Sequence, residues 1–152
     1  DRALAIPTIR HALKKSESIF KEEYEVVCML QPTSPLRKKE HYHQIFRKFK
    51  KNFKKYDSTI SVKDVGNYHP YKMKKIRNNE LIDYEKWPIE NPPRQSLPKI
   101  YIVNGAFYIF KRKIILENNS FKGKKCLPFI MSENESINID NQNDFLLAEK
   151  HT

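Results

Sequence analysis

Glycine is scarce in this chain: Gly66, Gly105 and Gly123 are the only three in 152 residues, and none falls in a glycine-rich turn between an apolar run and a helical pattern. A loop that wraps phosphates in backbone N–H groups needs such a turn, so no cradle for a nucleoside triphosphate is legible. Cysteine is scarcer still. Cys28 sits inside an apolar run and Cys126 ends a basic stretch, without the paired spacing of a zinc site or disulfide framework, so reduced thiols are expected. Long hydrophobic runs are missing: the longest, around 25–30, is far too short to cross a bilayer, and no charged-then-apolar signal segment opens the chain. A soluble, cytoplasmic protein with no membrane partner is expected.

Acidic residues are in deficit, 18 against 29 basic ones, which leaves a net charge of +11. Clustered Lys and Arg would suggest nucleic acid. Here the basic residues are spread through 47–55, 72–77 and 111–125 and are mostly Lys mixed with Asn, so a solvated basic face is the plainer reading and no nucleic-acid partner is expected. What is present suffices for a core: 39% hydrophobic and 12% aromatic residues support one folded domain over 1–152.

Ile9, Ala12, Leu13 and Phe20 share a helical face with Thr8 as a cap behind Pro7, predicting an amphipathic helix that ends near 18–21. Residues 24–30 form an apolar run of strand length, the pattern of a strand covered on both faces in a parallel sheet, and the prolines of 31–35 end it in a loop. Tyr42, Ile45, Phe46, Phe49 and Phe53 recur at three- and four-residue steps, a second helix with a Lys/Arg outer face. His41 and His43 lie two apart on it, point different ways and make a poor metal pair. Residues 58–62 read as a strand completing a β-α-β unit. Both periods vanish over 68–99, an excursion from the core. A strand resumes at 101–110 with Asn104 and Gly105 in its middle, where a glycine admits close approach to the backbone. Residues 136–140 read as a last strand leading into a helix over about 142–150. Strands alternating with helices predict an α/β sheet.

Ligands of open α/β sheets collect beyond the carboxyl ends of the strands. Gln31 follows the first strand, the segment 68–72 with Lys72 follows the second, and Asp140 closes the last, so an amide, a cation and a carboxylate are expected to converge. Each also has a plainer account. Lys72 is one lysine among many, Arg94 could pin a loop by pairing with Glu85 or Glu90, Gln31 could cap its loop, Asn104 and Gly105 could form a bulge, Phe121 could be core, and Asp140 could face the dipole of the last helix.

Six segments occur in order: Gln-Pro-Thr-Ser-Pro-Leu-Arg at 31–37, Ser-Thr-Ile-Ser-Val at 58–62, His-Pro-Tyr-Lys-Met at 69–73, Pro-Arg-Gln-Ser-Leu-Pro at 93–98, Asn-Gly-Ala-Phe-Tyr-Ile at 104–109, and Ser-Ile-Asn-Ile-Asp at 136–140 with Asp144, Phe145, Ala148 and Glu149. Over about 7–149 the series resembles the acylneuraminate cytidylyltransferases, the synthetases of CMP-sialic, CMP-legionaminic and related sugars. The resemblance implies a Rossmann-like nucleotidyltransferase sheet of the nucleotide-diphospho-sugar transferase type, with a protruding dimerisation arm at about 73–103 that reaches toward the partner's active site. It implies transfer of CMP from CTP to the anomeric hydroxyl of an acidic nine-carbon sugar, with release of pyrophosphate and help from Mg²⁺. It gives Lys72 and Arg94 to the sugar carboxylate, Gln31 and Asn104 to its hydroxyl and acylamino groups, Phe121 to the acyl group, and Asp140 with Asn138 to the metal, Asp140 being the catalytic carboxylate.

Two departures stand out. The family's metal motif carries two aspartates where this chain has Asn138, Ile139 and Asp140, and a neutral amide is the weaker Mg²⁺ ligand. Residues 1–5 resemble the stretch well after the family's opening strand and phosphate loop, so the sheet is expected to be N-terminally incomplete and the chain inactive by itself. The alternative expectation is a non-catalytic module that binds the sugar acid or forms the dimer.

Overall fold

The computed structural model describes residues 4–151. Helix α1 (Ala5–Phe20) begins earlier than the sequence suggests. Pro7 lies in its first turn, where a missing N–H costs nothing. Thr8 is not its cap, because the Thr8 hydroxyl turns back to donate to the Leu4 carbonyl at 3.0 Å. The helix buries Leu13 against Phe110 and Ile115.

Strand β1 (Val26–Met29) is followed by helix α2 (Lys39–Lys51) and strand β2 (Ser58–Asp64). Strands β3 (Lys74–Arg77) and β4 (Glu80–Asp83) form a hairpin apart from the main sheet. Asn78 and Asn79, at φ 51° and 64°, supply the left-handed turn that matches strand twist. Strand β5 (Tyr101–Lys111), helix α3 (Arg112–Glu117), strand β6 (Cys126–Ile130) and helix α4 (Gln142–Glu149) complete the described elements. The main sheet has the order β1-β5-β2-β6, with β5 antiparallel to both neighbours and β2 parallel to β6. The fold is α/β, as expected, on a mixed sheet.

β1 departs from the expected parallel strand covered on both faces. All four of its residues are half-buried and its neighbour is antiparallel. Its alternate side chains still serve two cores: Val26 and Cys28 pack with Ile45, Phe49, Phe107 and Ile109 beneath α2, while Val27 and Met29 pack with Leu13 and Phe110 beneath α1.

The strand expected at 136–140 is absent. A 3-10 turn at Asn134–Ser136 leads instead into irregular chain, where the Ile139 N–H donates to the Thr33 carbonyl at 2.8 Å. The alternation of Ile137 and Ile139 imitates a strand, but Ile137 packs with Leu36 and Ala148 rather than along a sheet edge. The real last strand, β6, was hidden at the end of the basic stretch. It buries Leu127 and Phe129 and exposes Pro128 and Ile130. Among the described residues no helix is long and apolar enough to cross a membrane.

Candidate functional site

Beside the carboxyl end of β2 a cavity of about 460 Å³ gathers residues from four places in the chain. Gln31 comes from the loop after β1, Lys63 from β2, Asn104, Gly105 and Tyr108 from β5, and Asn138, Asp140 and Asp144 from the approach to α4. A larger cavity, about 830 Å³, lies between β1 and α2 on Val26, Phe46, Phe49 and Phe53 under a lysine rim. The smaller one is the better candidate because polar groups of differing chemistry converge in it.

Gly105 is the joint of the site. Its φ of +77° suits glycine, and a Cβ there would run into Gln31 Oε1 and lie 3.2 Å from Ser34 Oγ. The loop is thereby allowed to lie directly on β5. Arg37 clamps it, its Nη1 donating to the Gln31 carbonyl at 2.8 Å and to the Ala106 carbonyl at 3.3 Å.

Asn104 is buried, and its side chain is fully engaged with protein. Its Oδ1 accepts from the Ser61 hydroxyl at 2.6 Å and from the Ala106 N–H at 3.2 Å. Its Nδ2 donates to Ser136 Oγ at 2.8 Å and to Met131 Sδ at 3.4 Å. Asn104 thus ties β5 to β2 and to the turn before Asn138. Gln31 is the contrast: its carboxamide has no hydrogen-bond partner among the described residues and is open to a ligand.

Asn138 bridges. Its Oδ1 accepts from the Thr33 hydroxyl at 2.7 Å, and its Nδ2 donates to Asp140 Oδ2 at 3.0 Å. An ionised Asp140 requires a donor there, which fixes the orientation of the amide. Asp140 itself is exposed and keeps its other oxygen free. Asp144 accepts the Asp140 and Asn141 N–H groups at 3.0 and 3.1 Å, and Asn141 caps α4. Among the described residues no three His, Cys, Asp or Glu side chains cluster as a metal centre. Of the two residues expected to hold a metal, Asn138 turns its amide NH2 toward Asp140, so Asp140 alone keeps an anionic oxygen free for a cation.

The remaining sequence-predicted residues lie outside this cavity. Arg94 lines a neighbouring cavity of about 290 Å³ with Asp64, His69 and Pro98, and its Nη2 stands 4.0 Å from Asp64 Oδ1 rather than near Glu85 or Glu90. Lys72 ends the 3-10 turn Pro70–Lys72 and is exposed. His69 anchors that turn: its Nδ1 accepts the Tyr71 N–H at 3.3 Å, so its Nε2 donates to the Pro98 carbonyl at 3.0 Å. Phe121 is half-buried against Tyr108 and Phe110, with ring centroids 5.6 and 5.4 Å away, and reaches the site only through Tyr108. Burial pushes the Cys28 thiol up to about 11, which rules it out as a nucleophile near neutral pH.

Sequence reasoning missed Lys63 and Tyr108. Lys63 was legible in principle, being two residues beyond Ser61 and so on the same strand face, but the strand was expected to end at 62.

No family model matches the chain. It is 30% identical over 149 residues to the post-translational flagellin modification protein B of Campylobacter coli, which covers 98% of the chain and 62% of that protein. It is 33% identical over 150 residues to the CMP-N,N'-diacetyllegionaminic acid synthase of Campylobacter jejuni, again 98% and 62%. It is 29% identical over 148 residues to the N-acylneuraminate cytidylyltransferase of Escherichia coli, covering 97% of the chain and 33% of that protein. The chain therefore spans about three fifths or less of the length of these curated relatives, whose names match the family its ordered segments resemble.

Proposed function

We propose, from a chain related over nearly its whole length to CMP-legionaminic acid synthases and N-acylneuraminate cytidylyltransferases, that it is the acceptor-binding part of a cytidylyltransferase that transfers CMP from CTP to an acidic nine-carbon sugar. In that reaction the anomeric hydroxyl attacks the α-phosphorus, a new P–O bond forms, and the bond to the β-phosphate breaks so that pyrophosphate leaves. The observation that carries the reading is the cavity in which Gln31, Asn104, Gly105, Asn138 and Asp140 meet, because these come from segments matching the family in order.

Each residue has work consistent with its bonding. The free carboxamide of Gln31 meets hydroxyl and acylamino groups of the sugar. Asn104 holds β5 against β2 and the turn before Asn138. Phe121 backs Tyr108 on the acyl side. Asp140, steadied by Asn138, would hold Mg²⁺, which when bound neutralises phosphate charge. Arg94 and Lys72 stand at the root of the β3–β4 excursion, and we assign them to the sugar carboxylate in a homodimer where the arm at about 73–103 reaches the partner's site. Exposed apolar residues on that hairpin, Ile76 at 78% and Leu81 at 69%, support such an interface.

Mg²⁺-dependent pyrophosphate release from CTP with a panel of nonulosonic acids, for this chain and for a version extended upstream in its gene, tests the reading. Release by the extended version alone is the expected result. Silence from both favours a sugar-acid-binding or dimer-forming module instead.

A further inference from the structure

The cavity contains a cation that none of the expected roles accounts for. Lys63 is half-buried near the end of β2, opposite Ile102 in the β5 register, and lines the cavity with Gln31, Gly105 and Asp140. Its ammonium has no ion pair or hydrogen bond among the described residues, although carboxylates are close in the chain and in the cavity. Asp64 lies within 4.0 Å of Arg94, Asp140 accepts from Asn138, and Asp144 is taken up by the backbone before α4.

The Lys63 side chain is half-buried and its ammonium is without a partner among the described residues, so an anion bound in the cavity could make a charge-assisted contact with it. Ser61, two residues earlier on the strand, is locked to Asn104, which places the Lys63 stem on the face that the cavity opens from. Gln31 lines the same cavity with an unengaged carboxamide, as do Tyr108 with its hydroxyl and Asp140 with its second oxygen. An ammonium and a neutral amide lining one cavity suit a carboxylate flanked by hydroxyl or amide groups, the local chemistry of a sugar acid.

We propose that Lys63 is a specificity-determining residue that binds the carboxylate of the acceptor sugar from within the cavity. The inference rests on the acceptor reading above and adds a cation that the chain itself supplies to the pocket, apart from Arg94 and Lys72 at the root of the arm.

The test is acetylation of lysines by N-hydroxysuccinimidyl acetate, read by mass spectrometry on both versions of the protein, with N-acetylneuraminic and legionaminic acids, their methyl esters, or CTP alone. Lys63 is expected to be protected several-fold by an acid and left unprotected by its ester and by CTP. In the version that releases pyrophosphate, Lys63→Met should raise KM for the acid about ten- to a hundredfold, the scale of one charge-assisted hydrogen bond, while KM for CTP stays unchanged and Lys63→Arg recovers most of the loss. Equal acetylation with and without every acid, or protection by ester or CTP as strong as by acid, overturns the proposal. Protection of Lys63 by acid without pyrophosphate release leaves the carboxylate site standing and removes the transferase reading.

Discussion

Gly105 and Gly66 both hold positive φ, at 77° and 59°, but only one has neighbours in the way. An alanine at 66 meets nothing within 4 Å, so Gly66→Ala should cost about 1 kcal/mol, the strain of a left-handed backbone alone. Gly105→Ala also pushes aside the unbonded Gln31 carboxamide and crowds Ser34 Oγ at 3.2 Å, and should cost about 1–2 kcal/mol. Urea unfolding midpoints of the two variants check the difference; equal losses would mean that Gln31 and Ser34 give way to a Cβ without strain. At this scale the sequence was partly readable. A glycine inside an apolar strand signals close approach to the backbone, whereas what approaches it, the side chain of Gln31 some seventy residues earlier, has no local signature.

Between elements, Glu135 is the fastening that holds the turn before Asn138 against the N-terminus of α2. Its carboxylate accepts from the Ser132 hydroxyl at 2.6 Å and from the Lys38 ammonium at 2.9 Å, with His41 Nε2 at 3.5 Å. The Ser132 bond first, then Lys38, draws its pKa down to about 2 from 4.5. A carboxyl depressed on folding contributes stability that is complete above the unfolded value, and that stability is lost as the pH falls through the folded one. The window therefore runs from about 4.5 down to about 2. Glu135→Gln should destabilise by about 1 kcal/mol at pH 7, a figure discounted for solvent screening. The deficit should shrink in urea melts toward pH 2.5, and one that does not change with pH would show that the charge is not what holds the turn. The element pattern itself was legible where one face is apolar, as in α2. It failed at 136–140, where a two-residue alternation arises from packing on α4, and at β6, whose proline and basic approach mask a strand that pairs in parallel with β2.

For the whole molecule, the β3–β4 hairpin carries the assembly prediction. Ile76 and Leu81 are register partners on it, and both are exposed in the single chain. If this surface forms the dimer, Leu81→Asp should weaken association by more than tenfold in sedimentation velocity and leave the far-UV spectrum unchanged. A monomeric wild type would remove the interface. By itself the sequence determined the α/β class, both long helices, the position of β5 and the ordered segments that match the nonulosonate cytidylyltransferases, because each is written in local periodicity or in a contiguous run of residues. Only the tertiary structure decided that the sheet is mixed, that Gln31, Lys63, Gly105 and Asp140 share one cavity while Arg94 and Lys72 stand at the arm, and that Asn104 is bound to the protein. Strand pairing and hydrogen-bond partners are set between residues far apart in the chain, and the free energy of burying and pairing them is defined only once the chain has closed on itself.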